Sequence, residues 1–286
     1  MGQPNFQPIL NALKGSLIGA ANTIPGVSGG TIAVITGLYD RLIEAVSEFF
    51  KTGWKRNITF LVPVTFGVAV GILLFARAVS FFMETYPAQT AYFFMGLVLG
   101  SMPFLIGLAL RERFKWIYLI PFSVALALLI YMGVAGRPPM SEPITELTPS
   151  GAILIFLTGT IASATMIIPG VSGSLVMLMI GLYSTFIHAV DELNLPILAV
   201  AAPGFVIGIV IVSKLINSLL SRFHALTYWT IIGLVLGSVV AIWPKTDAGA
   251  WFFPTGAMDI GSGIGALIVG FLPAFFLGSR RRSDDA

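Results

Sequence analysis

The sequence predicts an all-α polytopic membrane protein built from two inverted-topology repeats. Of its 286 residues, 56% are hydrophobic and only 10% are charged, whereas a soluble domain carries about a quarter charged residues. The segment Pro-Gly-Val-Ser-Gly-Gly at 25–30 recurs as Pro-Gly-Val-Ser-Gly-Ser at 169–174. A helix cannot run smoothly through such a segment. We therefore expect each repeat to hold a broken re-entrant helical hairpin plus three transmembrane helices.

Apolar segments follow one another at lengths suited to a bilayer. In the first half they cover 9–24, 31–49, 58–82, 91–110 and 116–134. After a polar, proline-rich stretch they resume at 151–168, 175–190, 197–220, 228–243 and 257–278. We divide the single membrane domain 1–286 into repeat 1 at 9–136, a linker at 137–150 and repeat 2 at 151–280. The beginning of the chain lacks the features of a removable signal peptide.

The two halves align residue by residue. A displacement of 144 positions superposes the two broken segments and brings Gly-Leu-Tyr at 37–39 onto the same residues at 181–183. Beyond a shorter loop the displacement becomes 137, which superposes Gly-Leu-Val-Leu-Gly-Ser at 96–101 and 233–238. That second displacement also pairs Arg77 with Lys214.

The loop charges predict how the repeats are oriented. A repeat whose hairpin dips in and returns crosses three times, and one whose hairpin arms both cross fully crosses five times. Either count is odd, so the second repeat lies upside down. One side then receives Lys51, Lys55, Arg56, Arg111, Arg113, Lys115, Arg222 and Arg280 to Arg282. By the positive-inside rule both termini are cytoplasmic. Segment 9–24 would span only about 24 Å of a core about 30 Å thick, which favours a re-entrant hairpin.

We call residues 22–31 the first tip and residues 169–174 the second tip. Each tip opens a new helix, whose first turn has free N–H groups and a partial positive charge that suit phosphate. The candidate phosphate-binding residues are Asn22, Gly26, Ser28, Gly29, Gly30, Thr31, Gly170, Ser172, Gly173 and Ser174. The alternative is that glycine and serine only permit close helix packing. Two copies with proline in the break favour a transporter site between repeats.

Arg77 and Lys214 extend the candidate phosphate site. Both lie inside apolar segments, where a cation is costly and usually faces a partner or a cavity. Their equivalence in the repeat predicts two cations that approach one site from opposite faces. The alternative is snorkelling of both side chains to the nearer headgroups.

Glu44 and His188 are repeat-equivalent residues that a proton relay would use. The alternative is a helix end that emerges into water. With no cysteine in the chain, thiolate metal sites are excluded, and we predict neither a metal nor a cofactor. There is no Walker motif, so transport would be secondary or downhill.

An enzyme is the remote alternative. Gly-Val-Ser-Gly at 26–29 matches the pattern of intramembrane serine proteases, with His188 or His224 as the base. However, the serine motif occurs twice, which a single nucleophile does not explain.

The stretch GAANTIPGVSGGTIAVITGLYDRLIEAV and its echo MIIPGVSGSLVMLMIGLYSTFIHAV resemble the polyprenyl-phosphate translocase family. The resemblance implies that the protein returns undecaprenyl phosphate from the outer to the cytoplasmic leaflet of the bacterial inner membrane, where the carrier serves peptidoglycan and other envelope polymers. It implies that the two tips belong to the site. The expected partners are a polyprenyl-phosphate lipid and the membrane, not nucleic acid, and a homo-oligomer is left open. The runner-up function is transport of a small soluble anion.

Overall fold

The fold is all-helical. The computed structural model describes residues 7–22, 28–49, 54–135, 141–244, 251–254 and 256–284. The helices of the described residues are α1 (Gln7–Asn22), α2 (Gly29–Thr36), α3 (Tyr39–Ser47), α4 (Trp54–Thr85), α5 (Pro87–Ala109), α6 (Leu119–Val134), α7 (Pro149–Ile167), α8 (Gly173–Ile180), α9 (Tyr183–Asp191), α10 (Leu195–Arg222), α11 (His224–Ile242) and α12 (Ala257–Asp284).

Seven of these described helices are long and apolar enough to cross a membrane. The candidate spans are Trp54–Phe75, Pro87–Ala109, Trp116–Val134, Pro149–Ile167, Leu195–Arg222, His224–Ile242 and Met258–Ser279. This agrees with the prediction of a polytopic membrane protein. Six of the seven match the predicted transmembrane helices, and the seventh, α7, is the predicted first arm of the second hairpin. The order of the helices also repeats, because α7 to α12 follow one another as α1 to α6 do.

The helix that follows each tip is shorter than predicted. We expected single helices over 31–49 and 175–190, and this prediction was wrong. The chain breaks again at Gly37 and Gly181, whose φ angles of 58° and 87° are left-handed. A left-handed residue just after a helix lets the following N–H groups donate to the last carbonyl groups of that helix. Here the N–H of Leu38 donates to the carbonyl of Ala33. In the second half, α8 and α9 consequently meet at a bend of 109°.

Each hairpin packs against the long helix that follows it, and the two helices run in the same direction. Gly15 of α1 lies against Val64 of α4, and four residues on, Gly19 lies against Val68. Small residues let the two backbones approach closely. In the second half, Gly204 and Gly208 of α10 meet α7 in the same parallel sense. Since α1 and α4 are parallel and pack side by side, α4 begins at about the same height as α1.

The two halves also exchange helices. α12, from the second half, packs along α5, and α6, from the first half, packs along α11. Both pairs are parallel and pack through glycine: Gly96 and Gly100 of α5 lie against Leu267 and Phe271 of α12 in that order. α5 and α11 meet between these pairs. The halves are therefore interlocked through a common core rather than placed side by side.

The end of the predicted linker is fixed to the second hairpin. Ser184 of α9 donates a 2.6 Å hydrogen bond to the carbonyl of Ser141, and the N–H of Ile144 donates to Thr185 Oγ1 at 3.0 Å. Asn194 Nδ2 donates to the carbonyl of Thr145 at 2.9 Å. Residues 141–148 thus lie across α9 as an ordered strap.

Candidate functional site

The second tip is a tight, buried break between α7 and α8. Pro169 is less than 2% exposed, and Gly170 has a φ of 86°, a conformation that favours glycine. A Cβ on Gly170 would lie 2.6 Å from the carbonyl carbon of Leu234 in α11. The tip is therefore held directly against the backbone of α11. This contact explains why a residue with no side chain is needed there.

Ser172 and Ser174 place two hydroxyl groups at the beginning of α8. Their Oγ atoms are 2.8 Å apart, and Ser172 is only 5% exposed. Ser172 has the extended backbone of a helix N-cap. The first turn of α8 therefore combines two hydroxyl groups with the N–H groups of a helix start, the combination that the sequence predicted for anion binding.

The first tip is described at Asn22 and from Ser28 onward. Residues 23–27, and with them the predicted site residue Gly26, lie outside the described residues. Asn22 Oδ1 accepts a 3.0 Å hydrogen bond from the N–H of Gly29, the first residue of α2. The side chain of Asn22, at the end of α1, therefore satisfies one of the free N–H groups at the N-terminus of α2. In the second half, Met166 takes the equivalent position against Gly173.

The two tips are in contact. The N–H of Gly170 donates a 2.9 Å hydrogen bond to Thr31 Oγ1, and Ser28 Oγ donates to the carbonyl of Ile168 at 3.2 Å. Ser28 and Thr31 are 4% and 2% exposed. Residues that are 139 and 140 positions apart in the sequence thus form one buried polar centre between the two repeats.

The contact accounts for a difference between the two copies of the motif. A Cβ on Gly30 would lie 3.0 Å from the carbonyl oxygen of Ile167 and 3.2 Å from the nitrogen of Pro169. The repeat-equivalent Ser174 faces Ser172 instead. Gly30 therefore lacks a side chain because it lies against the backbone next to the second tip. At the equivalent position of the second copy there is room for the hydroxyl group of Ser174.

Arg77 and Lys214 lie level with the tips. Gly71 of α4 contacts Ser16 of α1, and in these parallel helices Arg77 and Asn22 each lie six residues further on. Lys214 of α10 is likewise level with Met166, because Gly208 contacts Thr160.

The same helical geometry points both cations away from the hairpins. Val68 faces α1, and Arg77 follows it by nine residues, or about two and a half turns, so Arg77 lies on the opposite face of α4. Both side chains are exposed, and neither makes an ion pair or hydrogen bond within the described part of the chain. The structure therefore brings the two tips together but does not bring the cations onto them.

Glu44 lies at a charged surface near the beginning of α4. Its carboxylate is 2.9 Å from Arg41 and 3.2 Å from Arg56, and its side chain is 39% exposed. His188 is half-buried on α9, in the second half. Proton coupling through these two residues stays a prediction.

A contact between the two halves that the sequence did not reveal joins α3 to α11. Tyr228 is 1% exposed, and its hydroxyl group donates to both carboxylate oxygens of Asp40, at 2.7 and 2.9 Å. The ring of His224 lies 4.7 Å from that of Tyr228. No local pattern pairs residues that are 188 positions apart, so only the fold reveals this bond.

Comparison with known proteins identifies the family. A family model described as VCA0040-like, undecaprenyl phosphate translocase-like, matches residues 18–258, which include both tips and Arg77 and Lys214. The chain belongs to this family. A polyprenyl-phosphate transporter of Vibrio cholerae is 32% identical over 252 residues, covering 84% of this chain and 79% of that protein.

A second polyprenyl-phosphate transporter, from Staphylococcus aureus, is 31% identical over 280 residues, covering 94% of this chain and 95% of that protein. No solved structure matches the chain significantly. The translocase-like family thus agrees with the resemblance that the doubled motif carries.

Proposed function

We propose that the protein translocates undecaprenyl phosphate from the outer to the cytoplasmic leaflet of the bacterial inner membrane, and thereby recycles the lipid carrier for cell-envelope synthesis. The observation that carries this proposal is the contact of the two tips, which brings together two helix starts and four hydroxyl groups, three of them buried, in one polar centre. Helix starts of this kind stabilise phosphate. The transporter names of the two relatives support the same substrate class.

The helix packing supports an inverted arrangement of the two repeats. α5 is parallel to α12 and α6 is parallel to α11. If α5 and α6 cross the membrane in opposite directions, then α11, the equivalent of α5, runs opposite to α5. The parallel pairs α1–α4 and α7–α10 support re-entrant hairpins. In this arrangement the two tips enter from opposite faces, and the termini are cytoplasmic by the positive-inside rule.

The headgroup would move through the polar centre while the prenyl chain stays in the bilayer. Arg77 and Lys214, level with the tips on the outer faces of α4 and α10, would attract the phosphate toward that level. This division keeps the charged group out of hydrocarbon, where its desolvation is most costly. The protein would act as a transporter without ATP hydrolysis.

The serine protease alternative receives no support from the hydroxyl partners. Ser28 Oγ donates to a backbone carbonyl, whereas a serine nucleophile donates to a base. His224 lies against Tyr228, which bonds to Asp40 at the beginning of α3, beyond the end of α2 that is remote from Ser28.

The test is transport in proteoliposomes. The purified full-length chain is reconstituted with a fluorescent polyprenyl phosphate, and the fraction of label reached by a membrane-impermeant quencher is followed over time. The expected result is transfer of the lipid between leaflets that empty liposomes do not show. Transfer of free phosphate or sulfonate without transfer of the lipid would refute the lipid proposal in favour of a soluble anion.

A further inference from the structure

The two halves have equivalent helices but differ in how those helices pack. α3 lies against α10, whereas the equivalent helices α9 and α4 have no comparable packing among the described residues. Ile43 on α3 is 0% exposed, and its repeat equivalent on α9, Ile187, is 44% exposed. The outer surface of α3 is therefore covered by α10, and we call this the closed side. The equivalent surface of α9 is exposed, and we call this the open side.

The helices next to the tips show the same difference. All eight residues of α2 are buried, and α2 packs against α5, α7 and α12. In α8 only Gly173, Leu175 and Met177 are buried, and among the described helices its extensive packing is with its own hairpin partners α7 and α9. Beyond these, the half-buried Val176 packs at the edge of a cluster that includes residues of α6 and α11. Ile35 is 4% exposed, whereas its equivalent Met179 is 38% exposed. The exposed surface therefore extends along α9 and α8 toward the second tip.

The closed side has a bond that the open side cannot form. Tyr228 on α11 donates to both oxygens of Asp40 on α3. The equivalent positions on the open side are Ala91 and Ser184, and alanine has no donor. Ser184 donates instead to the carbonyl of Ser141 in the strap that lies on α9. The bond is thus confined to the half that is closed, and it ties the first hairpin to the other repeat.

We propose that the Asp40–Tyr228 hydrogen bond is the latch of a gate that closes the translocation path at the α3–α10–α11 side, and that the structure has this gate closed while the α8–α9 side is open. The inference rests on the proposed function, since a path is gated only in a transporter. Arg56 and Arg111 lie on the latch side, which the charge rule makes cytoplasmic. The structure then has the path open toward the outer leaflet, the side from which the lipid would enter.

A latch and a purely structural bond can be distinguished by the effect of removing them. Removing a latch shifts the population of two folded states, so that α3 leaves α10 without unfolding. Removing an ordinary structural bond lowers stability and leaves the exposure of the folded state as it was. The exposure of Ile43 in folded protein therefore separates the two.

The natural absence of cysteine makes this exposure measurable. Ile43→Cys and Ile187→Cys each introduce one thiol at equivalent positions, and the full-length variants in lipid nanodiscs are treated with a water-soluble maleimide. We expect the Ile187→Cys thiol to react and the Ile43→Cys thiol to be protected. Equal protection of both thiols would overturn the one-sided opening.

The decisive comparison adds Tyr228→Phe to Ile43→Cys. Because a hydrogen bond to a charged group is lost, we expect the labelling rate of the Ile43→Cys thiol to rise about tenfold or more. Asp40→Asn, which weakens the same bond from the other partner, should act in the same direction. The matched control is Tyr92→Phe, because Tyr92 is 7% exposed and its hydroxyl group has no hydrogen-bond partner among the described residues. This control should leave the rate unchanged.

An unchanged rate in both latch variants, with both eluting as folded protein, would overturn the latch while leaving lipid transport intact. If wild-type protein transferred no lipid but the labelling still rose in the latch variants, the gate would stand and the proposed cargo would fail. The two proposals can therefore fail separately.

Discussion

The N–H of Gly170 donates a 2.9 Å hydrogen bond to Thr31 Oγ1 and so joins the second tip to the helix that follows the first. Both partners are buried, and the bond links the two repeats at the place where the proposed function puts the phosphate. Because the bond joins the two hairpins, a substitution at either partner should displace both tips.

Thr31→Val should disrupt this contact. Valine has nearly the shape of threonine but cannot accept the hydrogen bond, so the N–H of Gly170 is left unsatisfied at a cost of about 1–3 kcal/mol. We expect a clear loss of lipid transfer in proteoliposomes. Thr36→Val is the matched control, since Thr36 is a buried threonine of the same helix whose hydroxyl group bonds only to the preceding turn. Equal losses in the two variants would contradict a special role for the tip contact.

Gly30 and Ser174 are repeat-equivalent, yet alanine should act differently at the two positions. At Gly30 the new Cβ would lie 3.0 Å from the carbonyl oxygen of Ile167, so the backbone that leads into the second tip would have to shift away from α2. Ser174→Ala removes only the hydroxyl group that meets Ser172. We expect Gly30→Ala to reduce transfer far more than Ser174→Ala, measured at equal reconstituted protein. The opposite order would mean that the hydroxyl pair, rather than the close approach of the tips, limits transport.

The features of this site that depend on short motifs could be predicted from the sequence, whereas those that depend on tertiary contacts could not. The Pro-Gly-Val-Ser-Gly segments, their repetition and the equivalence of Arg77 and Lys214 are all visible in one chain. The second break at Gly37 is visible in the sequence only as part of a Gly-Leu-Tyr repeat, a pattern that does not reveal its left-handed backbone. The partners of Thr31 and Tyr228 are set by tertiary packing over more than a hundred residues.

The asymmetry of the fold lies further beyond sequence reasoning. A repeat alignment treats Ile43 and Ile187 as equivalent and predicts equal surroundings, yet one is buried and the other exposed. Two halves of similar sequence can exchange these roles between two conformations of comparable free energy. The alignment identifies the equivalent elements, but only the packing shows which of them is covered and which is exposed.

Arg77→Ala and Lys214→Ala should each weaken binding of polyprenyl phosphate. Both cations lie level with the tips but on the outer faces of α4 and α10, where the proposed path would bring the headgroup past them. A hydrogen bond to a charged group is worth about 1.5–3 kcal/mol, or about ten- to a hundredfold in affinity. Binding of a labelled lipid in detergent micelles measures the loss. Lys115→Ala removes an exposed cation from the loop between α5 and α6 and should leave affinity unchanged. If neither Arg77→Ala nor Lys214→Ala weakened binding, the two cations would have no part in the site.

Gly170→Ala should destabilise the whole protein, because the second tip is anchored to the other helices through this residue. Alanine would have to adopt a φ of 86°, which costs an L-residue about 1–2 kcal/mol. Its Cβ would also lie 2.6 Å from the carbonyl carbon of Leu234, so α11 would have to move. We expect a lower midpoint of thermal unfolding in detergent, with loss of transfer even in the protein that remains folded.

Gly265→Ala provides the matched control for that experiment. A Cβ at Gly265, in α12, would meet nothing within 4 Å, and alanine favours a helix over glycine by about 1 kcal/mol. Its unfolding midpoint should be equal to or above that of the wild type. A Gly170→Ala protein as stable as the wild type would mean that the second tip can move off α11 without cost, and the contact of the two tips would then not be a fixed feature of the fold.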